Sequence, residues 1–464
     1  MPLVVVRLQP LVSLGLSSLG LSSGLLLLGG THQAVVAARE PDIRVLLQES
    51  EQISLRADAD RPFRLTGPDL DRIDLTRLQI ELSSGGLSLV MEEAGAPADR
   101  PMRRRLPTSA QLRLETDDPR GLWLGKRRYG GSLRLLVHKG RIAVVNHLGI
   151  EDYLPSVVGS EMPQEWPMAA LQAQAVAART YALRQRGRAG LFDVQATVAS
   201  QVYRGLESQT PRTVEAVQST RSLVLVHAGQ LINAVFHSSS GGATEASGEV
   251  WRSQLPYLVS VPDHDQQSPV HRWETRFDAD QLRRAFRETG GVEHLEVLES
   301  STTGRVRALR VRGPVGVLRI SGSELRQRLG LKSTMVEFNW LAAGEVEGAP
   351  LPSTPPSQLS SRWVGFLVDP DGDGISEQLS PPPPLPQQLR LRRRRPQPVL
   401  EVRGRGYGHG VGMSQWGARA LAEQGAEFRQ ILQHYYQGVE IRPFRPSDDP
   451  AVARLPQVEP AWRG

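Results

Sequence analysis

The segment from Glu151 to Gln185 has the sequence EDYLPSVVGSEMPQEWPMAALQAQAVAARTYALRQ, and it decides how we interpret the rest of the chain. We interpret its first part as a strand-like approach and the part from Met168 onward as a helix. Alanines combine high helix propensity with little side-chain bulk, and here they occupy Ala169, Ala170, Ala173, Ala175, Ala177, Ala178 and Ala182. Apolar residues at helical spacing among such small side chains indicate close packing on several sides. The sequence therefore predicts a central helix.

Two charged residues of this segment are candidates for chemistry. Glu161 precedes the helix by several residues and follows the apolar pair Val157 and Val158. Apolar surroundings raise the pKa of a carboxyl group, which suits a general acid at neutral pH. The alternative is a capping role, because acids near helix starts are stabilised by the helix dipole. Arg179 lies within the crowded helix and needs a partner, and Glu161 is a plausible one.

Composition restricts the classes of protein to which the chain can belong. It has 464 residues, no cysteine, 34 prolines, 44 glycines and a formal net charge of +6. The length fits two or three domains, and the absence of cysteine excludes disulfides and thiolate-ligated metals. A basic chain suits an anionic polymer, but arginine runs such as 103–105 and 392–395 are typical of solvated surface or linker. We therefore expect no nucleic acid partner.

Residues 1–38 resemble an export signal. Arg7 precedes an uncharged run from Leu11 to Leu28, and alanines between 34 and 38 fit a cleavage site. The run is also about as long as a minimal membrane span, so an uncleaved N-terminal anchor is the alternative. Either interpretation predicts an exported protein of the periplasm or cell envelope, attached to the membrane only through this segment.

Pattern changes along the chain divide the rest into five parts. The predicted parts are a β-rich N-terminal module at 39–118, a main domain at 119–344, a Pro/Ser/Arg-rich linker or insertion at 345–398, the C-terminal part of the main domain at 399–444, and a loose tail at 445–464. In the module we expect strands at 43–47, 53–57 and 78–82.

Strands and helices are mixed within the main domain, which predicts the α+β class rather than repeating βαβ units. A hairpin with strands at 133–138 and 141–148 precedes the central helix. We then expect a helix at 213–220, a hairpin across 223–237, a helix at 282–286, a strand at 306–311, a helix at 323–329, a strand at 400–403 and a single helix at 418–436.

Two glycine-containing motifs resemble ligand-binding loops, and each also has a simpler structural explanation. The DPDGDG motif at 369–374 matches the first half of a calcium loop, but Ser380 stands where a bidentate glutamate is expected. We therefore favour a simple turn over a calcium site at Asp369 and Asp373. The GYGHGVG motif at 406–412 lacks the Lys-Ser/Thr ending of a phosphate loop, so its glycines indicate close approach to another strand or a saccharide.

Four motifs occur in the order seen in the stage II sporulation protein D / LytB family, and the chain resembles that family from about residue 120 to 440. They are the segment at 151–183, SQVYRG at 200–205, FHSSSGGAT at 236–244 and GYGHGVGMSQWGA at 406–418. The resemblance implies a SpoIID-like mixed fold, with the central helix packed on β-hairpins. It also implies a protein directed at peptidoglycan glycan strands. The Pro/Arg content and the additional N-terminal module lie outside the resemblance, and they favour general wall remodelling or division over sporulation.

The resemblance assigns roles to residues of these motifs. Glu161 falls on the family's catalytic glutamate in its S-E-M-P context, which implies a lytic transglycosylase that cuts strands stripped of stem peptides. Arg179 falls on an arginine of the same cleft, and we expect it to face the substrate or a second acceptor, because pairing with Glu161 would lower the pKa of that acid. The other expected substrate-binding residues are Tyr203, His237, Ser239, Gly242, Tyr407, His409 and Gln415.

Some family members bind zinc through a histidine and two cysteines near the Ser/Gly-rich loop. This chain has His237 there but no cysteine, so we expect neither metal nor cofactor. The alternative function is a non-catalytic, wall-binding enhancer of an N-acetylmuramoyl-L-alanine amidase, which would stack sugars on Tyr203, Trp251, Tyr407 and Trp416. A structural envelope protein tethered by its Pro-rich arm is the third interpretation.

Overall fold

A computed structural model of the protein describes residues 40–342 and 398–451, except 59–60, 69, 98–99 and 188–189. Three of the predictions lie outside these residues: the export signal at 1–38, the Pro-rich segment that contains Asp369 and Asp373, and most of the tail. The described chain mixes helices and strands, so the α+β class is confirmed.

One 12-stranded sheet holds the N-terminal part of the described chain. Its strands are β1 (Asp42–Ser50), β2 (Gln52–Arg56), β3 (Phe63–Gly67), β4 (Leu70–Ser83), β5 (Gly86–Glu93), β6 (Met102–Leu106), β7 (Gln111–Glu115), β8 (Leu122–Leu124), β9 (Arg127–Tyr129), β10 (Ser132–His138), β11 (Arg141–Gly149) and β12 (Val194–Gln195). Alternate burial along strands such as β2 and β7 shows one face turned to the core and one to solvent. The strands predicted at 43–47, 53–57 and 78–82 are confirmed as parts of β1, β2 and β4, although β2 ends one residue earlier, at Arg56.

The predicted boundary near residue 118 falls between strands of this same sheet. β1 pairs with β11, and β7 pairs with β10, both in antiparallel register. The module and the main domain thus share backbone hydrogen bonds, and their division stays a prediction. The hairpin of β10 and β11 is confirmed, with its turn at Lys139 (φ 50°) and Gly140 (φ 78°). Positive φ at both positions gives a turn that follows the right-handed twist of the strands.

Eight described helices follow in the chain. They are α1 (Ile150–Glu161), α2 (Met168–Gln185), α3 (Pro211–Ser219), α4 (Ser247–Val250), α5 (Ala279–Ala285), α6 (Gly322–Leu329), α7 (Gln415–Glu423) and α8 (Phe428–Tyr435). The central helix is confirmed as α2, which packs on α1, α3, α7, α8 and a strand at 223–227. Its alanines from Ala173 to Ala182 are completely buried, which explains why so many elements can approach it.

Two predictions about these helices were wrong. The strand-like approach is the helix α1, in which Leu154, Val157 and Val158 bury one face at spacings of three and four residues. The single helix expected at 418–436 is divided into α7 and α8, because Gly425 between them has a φ of 92° that a helix does not allow.

The remaining strands are β13 (Leu223–His227), β14 (Gln230–Leu231), β15 (Phe236–His237), β16 (Arg272–Phe277), β17 (His294–Ser300), β18 (Val306–Gly313), β19 (Gly316–Ser321), β20 (Val336–Leu341), β21 (Val399–Arg405), β22 (Met413–Ser414) and β23 (Glu440–Pro443). The hairpin expected across 223–237 forms between β13 and β14, but its return strand ends at Leu231. The shorter predictions at 213–220, 282–286, 306–311, 323–329 and 400–403 correspond to α3, α5, β18, α6 and β21.

Two large hydrophobic cores, and a small cluster of Leu46, Ala143 and Val145, support the described part of the chain. The first lies between the large sheet and helices α1, α2, α3 and α8. The second, smaller core is built from strands β16 to β21 with α5 and α6, and its buried residues lie between Trp273 and Val402. β21 leads from this second core directly into the glycine-rich segment at 406–412. There the parallel pair of β15 and β22 joins it to the Ser/Gly loop, and Ser239 forms a bridge with Tyr407.

Candidate active site

A cleft of about 510 Å³ lies where the end of α1 meets the Ser/Gly loop and the glycine-rich segment. We call it the Glu161 cleft. Its lining consists of Glu161, Tyr181, Val198, Ala199, Ser200, Val202, Val235, Phe236, His237, Ser238, Trp251, Arg326, Tyr407, Gly408, His409 and Gln415. Glu161 is the one carboxylate among these described lining residues.

Glu161 is the last residue of α1, and only 8% of its surface is exposed. The backbone N–H of Val202 donates to its Oε1 at 2.8 Å, and the Gln415 amide donates to its Oε2 at 3.2 Å. Burial raises the pKa of this carboxyl, while the two hydrogen bonds and the charge of Arg204 oppose that change. The negative end of the α1 dipole also disfavours the ionised form. The carboxyl therefore keeps its proton to a higher pH than an exposed glutamate does.

Two histidines from the two loops line the cleft with their rings 5.5 Å apart. His237 Nδ1 lies 3.1 Å from the Val411 carbonyl oxygen, and the Val411 N–H donates to His409 Nδ1 at 3.1 Å. Burial lowers the pKa of His409 to about 4, helped by the charges of Arg305 and Arg326. The pKa of His237 is lowered well below its usual range by burial, His409 and Arg305. Both rings are therefore neutral at physiological pH and serve as hydrogen-bonding groups.

The structure places five of the nine predicted site residues in the Glu161 cleft. These are Glu161, His237, Tyr407, His409 and Gln415. Trp251 also lines the cleft, is 38% exposed and has its ring centroid 5.5 Å from that of His409. An exposed aromatic ring at a cleft edge can stack on a sugar face.

Arg179 does not meet Glu161, so the suggested pairing of these two residues was wrong. Its Nε and Nη2 donate to the two carboxylate oxygens of Glu151, each at 2.7 Å. Its other donors reach the carbonyl oxygens of Leu223 and Val217, and the side chain is only 1% exposed. The second acceptor that we considered is therefore Glu151, and the arginine holds α1 and α2 together instead of facing the cleft.

Tyr203, Ser239 and Gly242 lie behind the cleft rather than on its wall. Tyr203 is buried between other tyrosines, and its hydroxyl donates to Asn146 Oδ1 at 2.9 Å. It thereby fixes the loop in which Val202 presents its N–H to Glu161. The Ser239 hydroxyl donates to Asp265, and Gly242, with a φ of 118°, accepts a hydrogen bond from the N–H of Asp263. Both shape the Ser/Gly loop.

Trp416 is also placed differently from the expectation, since it packs edge-on against Trp166 at 5.0 Å and does not line the cleft. Sequence reasoning missed Val202, whose contribution is a backbone group that no residue type reveals. It also missed Arg326, which comes from α6 in the second core and lies outside every quoted motif.

The amino-acid sequence is similar to a known family model and to several known proteins. Residues 138–227 match the family model described as stage II sporulation protein. The chain is 29% identical over 333 residues to an uncharacterised protein of Brachyspira hyodysenteriae, covering 71% of this chain and 75% of that protein. It is 28% identical over 317 residues to the stage II sporulation protein D of Bacillus amyloliquefaciens, covering 64% and 75%. It is 29% identical over 310 residues to an amidase enhancer of Bacillus subtilis, covering 62% and 40%.

Proposed function

From the confirmed resemblance to the stage II sporulation protein D / LytB family, we propose that this protein remodels the bacterial cell wall as a peptidoglycan lytic transglycosylase. Its substrate is the β-1,4 bond between N-acetylmuramic acid and N-acetylglucosamine, preferably in strands without stem peptides. The observation that carries the proposal is Glu161, a buried carboxyl with a raised pKa that opens on a cleft. A general acid needs this combination of retained proton and access.

The reaction uses one carboxyl group twice. Protonated Glu161 donates its proton to the glycosidic oxygen, and the bond from that oxygen to the muramic acid C1 breaks. The C6 hydroxyl oxygen of the same muramic acid bonds to C1, and Glu161, now ionised, accepts the proton of that hydroxyl. The product has a 1,6-anhydro end, and the catalytic carboxyl regains its proton. Because the nucleophile belongs to the substrate, the second carboxylate of ordinary glycosidases is not needed.

The neighbours of Glu161 fit both halves of this cycle. The Val202 N–H and the Gln415 amide stabilise the carboxylate formed after the first proton transfer. Val202 and Gln415 carry no charge, and burial raises the pKa of Glu161 against their hydrogen bonds and the charge of Arg204. The neutral rings of His237 and His409 help to form the wall of the cleft, and the exposed ring of Trp251 offers a stacking surface for a sugar.

The proposed substrate requires a location outside the cytoplasm. We propose export to the periplasm or cell envelope through the segment at 1–38, either as a cleaved signal or as a retained anchor. Within the described residues no helix combines the length and apolar character needed to cross a bilayer.

A second function is favoured by the similarity to the amidase enhancer of Bacillus subtilis. In this alternative the Glu161 cleft binds glycan strands without cutting them, and the partner is a cell-wall N-acetylmuramoyl-L-alanine amidase. The same cleft residues then hold the sugar, and Glu161 acts only as a hydrogen-bonding group.

A digest of purified glycan separates the two functions. Intact and amidase-denuded strands are incubated with the wild-type protein, with Glu161→Gln and with Glu165→Gln, a control on an exposed residue of the following loop. Anhydro-ended fragments from wild type and Glu165→Gln, with loss of about 100-fold or more in Glu161→Gln, support the transglycosylase. Reducing ends would instead indicate hydrolysis. If all three proteins bind the strands and none cuts them, the enhancer function is correct.

A further inference from the structure

A second cavity, of about 720 Å³, adjoins the Glu161 cleft. The two share Trp251, Arg326, Gly408 and His409 in their linings, so they form neighbouring parts of one surface depression. The second cavity extends toward α6 and β18 of the second core. We call it the arginine cavity, because Arg252, Arg305, Arg307 and Arg326 all line it.

The charges that line the arginine cavity do not balance. Its two acidic lining residues, Glu249 and Glu299, are engaged by Arg307 at 3.0 Å and by Arg319 at 2.9 Å. No carboxylate of the described residues pairs with Arg326, whose Nε donates to the Leu331 carbonyl oxygen at 3.2 Å. Since the side chain of Arg326 is half-buried and lines both cavities, its guanidinium is the cation shared by the two.

A second guanidinium of the lining, that of Arg305, is almost completely buried. Arg305 is 2% exposed, and its Nη2 donates to the Ser240 carbonyl oxygen at 2.8 Å, while its Nε and Nη1 have no hydrogen-bond partner among the described residues. The nearest carboxylate oxygen, Glu245 Oε2, lies 3.8 Å from Nε and accepts hydrogen bonds from Ser301 and Thr303. Burial lowers the pKa of Arg305 to about 10, so it remains protonated at neutral pH.

This excess of positive charge reaches the Glu161 cleft. The charges of Arg305 and Arg326 both lower the pKa of His409, which lies between the arginine cavity and Glu161. A half-buried cation with unused donors, backed by another cation, favours an anionic ligand group, and a guanidinium matches a carboxylate in shape. A bound anion would compensate the charge of Arg326, which has no carboxylate partner among the described residues.

We propose that the arginine cavity binds a carboxylate of the glycan strand through Arg326, and that this carboxylate is the free lactyl group of N-acetylmuramic acid. The inference rests on the proposed substrate. The lactyl group is the only acidic group of a strand without peptides, and a stem peptide converts it into a neutral amide. Arg326 would therefore distinguish denuded strands from peptide-bearing strands by charge.

Binding measurements test this inference without requiring cleavage. Glu161→Gln is used as the binding protein, and the second substitution is Arg326→Gln or, as a matched control, Arg328→Gln. Arg328 lies on the same helix but is engaged by Glu288 and Glu324 and lines neither cavity. The probes are denuded strands, the same strands with lactyl carboxylates converted to primary amides by carbodiimide and ammonia, and peptide-bearing strands.

We expect Arg326→Gln to weaken binding of denuded strands by about 10-fold to 100-fold, and Arg328→Gln to leave it unchanged. Amidation should weaken binding to the protein with Arg326 by a similar factor and remove the effect of Arg326→Gln. Equal binding of amidated and denuded strands would overturn the inference, even if the Arg326 variant failed to fold. Arg326-dependent binding of peptide-bearing strands would also overturn it, since the ligand would then be a peptide carboxylate. Charge-dependent binding with no cleavage by the wild type would refute only the proposed activity.

Discussion

The first and last turns of α1 each hold a glutamate with a shielded carboxylate, and one is paired with an arginine while the other is bonded by uncharged groups. The Glu151 side chain is 9% exposed and receives two hydrogen bonds from the guanidinium of Arg179. Glu161 is 8% exposed and accepts hydrogen bonds from the Val202 N–H and the Gln415 amide, with the charge of Arg204 also acting on it. The helix dipole favours the negative charge of Glu151 and disfavours that of Glu161. Both carboxylates are shielded from solvent, and the bonded partner decides whether the residue is a structural ion or a candidate acid.

The largest effect is expected when Glu151 loses its cation. Arg179→Met leaves a buried carboxylate unpaired, and we expect the free energy of unfolding to fall by about 3–5 kcal/mol. Urea unfolding measures the change. Arg221→Met is the control, because the Arg221 pair with Glu40 is exposed and should contribute less than about 1 kcal/mol. An equal decrease in the free energy of unfolding in the two variants would show that the Glu151–Arg179 pair stabilises the protein no more than the exposed pair does.

Removing both charges should restore part of that stability. In the double variant Glu151→Gln with Arg179→Met no charge is left uncompensated, and the glutamine can still accept the hydrogen bond from the Ser222 N–H. We expect it to be more stable than Arg179→Met alone, with a coupling energy of about 1–3 kcal/mol in a double-mutant cycle. Additive losses from the two single variants would contradict the pairing.

At the other end of the helix the matching substitution should stabilise the protein. The raised pKa of Glu161 means that the folded state holds this proton more tightly than the unfolded state. Stability therefore falls as the pH rises from the unfolded pKa of about 4.3 through the folded pKa. Glu161→Gln removes this dependence, so its Tm should exceed that of the wild type at pH 8 and converge with it towards pH 4. A lower Tm for Glu161→Gln at pH 8 would refute this assignment.

The smallest effect concerns the amide that contacts Glu161. The Gln415 hydrogen bond favours the ionised carboxyl, so Gln415→Met should raise the pKa of Glu161 further. Glu161 must be protonated at the start of the reaction, so activity is lost as the pH rises through its pKa. A higher pKa should therefore move the alkaline limb of the kcat/KM profile to higher pH. The profile is measured by release of anhydro ends from denuded strands. A shift to lower pH would mean that the amide acts on the protonated form instead.

The sequence predicted the elements whose signals are local. The alanines of α2, the turn at Lys139 and Gly140, and the apolar surroundings of Glu161 could each be recognised without the fold. The partner of Arg179 could not be recognised from the sequence. Glu151 and Glu161 are both nearby in the chain, and only the packing of α1 on α2 selects Glu151. The helix α1 itself was missed since a short apolar run with a proline fits a strand equally well. Arg326 could not be predicted from the motifs, because it lies on α6, which belongs to the second core and contacts the cleft only in the folded protein.

The pairing of β20 with β21 has a consequence for protein engineering. Leu341 and Val399 are register partners, so the chain leaves the second core and returns to it at adjacent positions. The 55 residues from 343 to 397 thus connect the two strands of a hairpin whose ends the sheet already holds together. Closing such a connection costs free energy that grows only slowly with its length. A short turn, a purification tag or a fluorescent reporter should therefore be accepted at this site, giving a way to follow the protein in living cells.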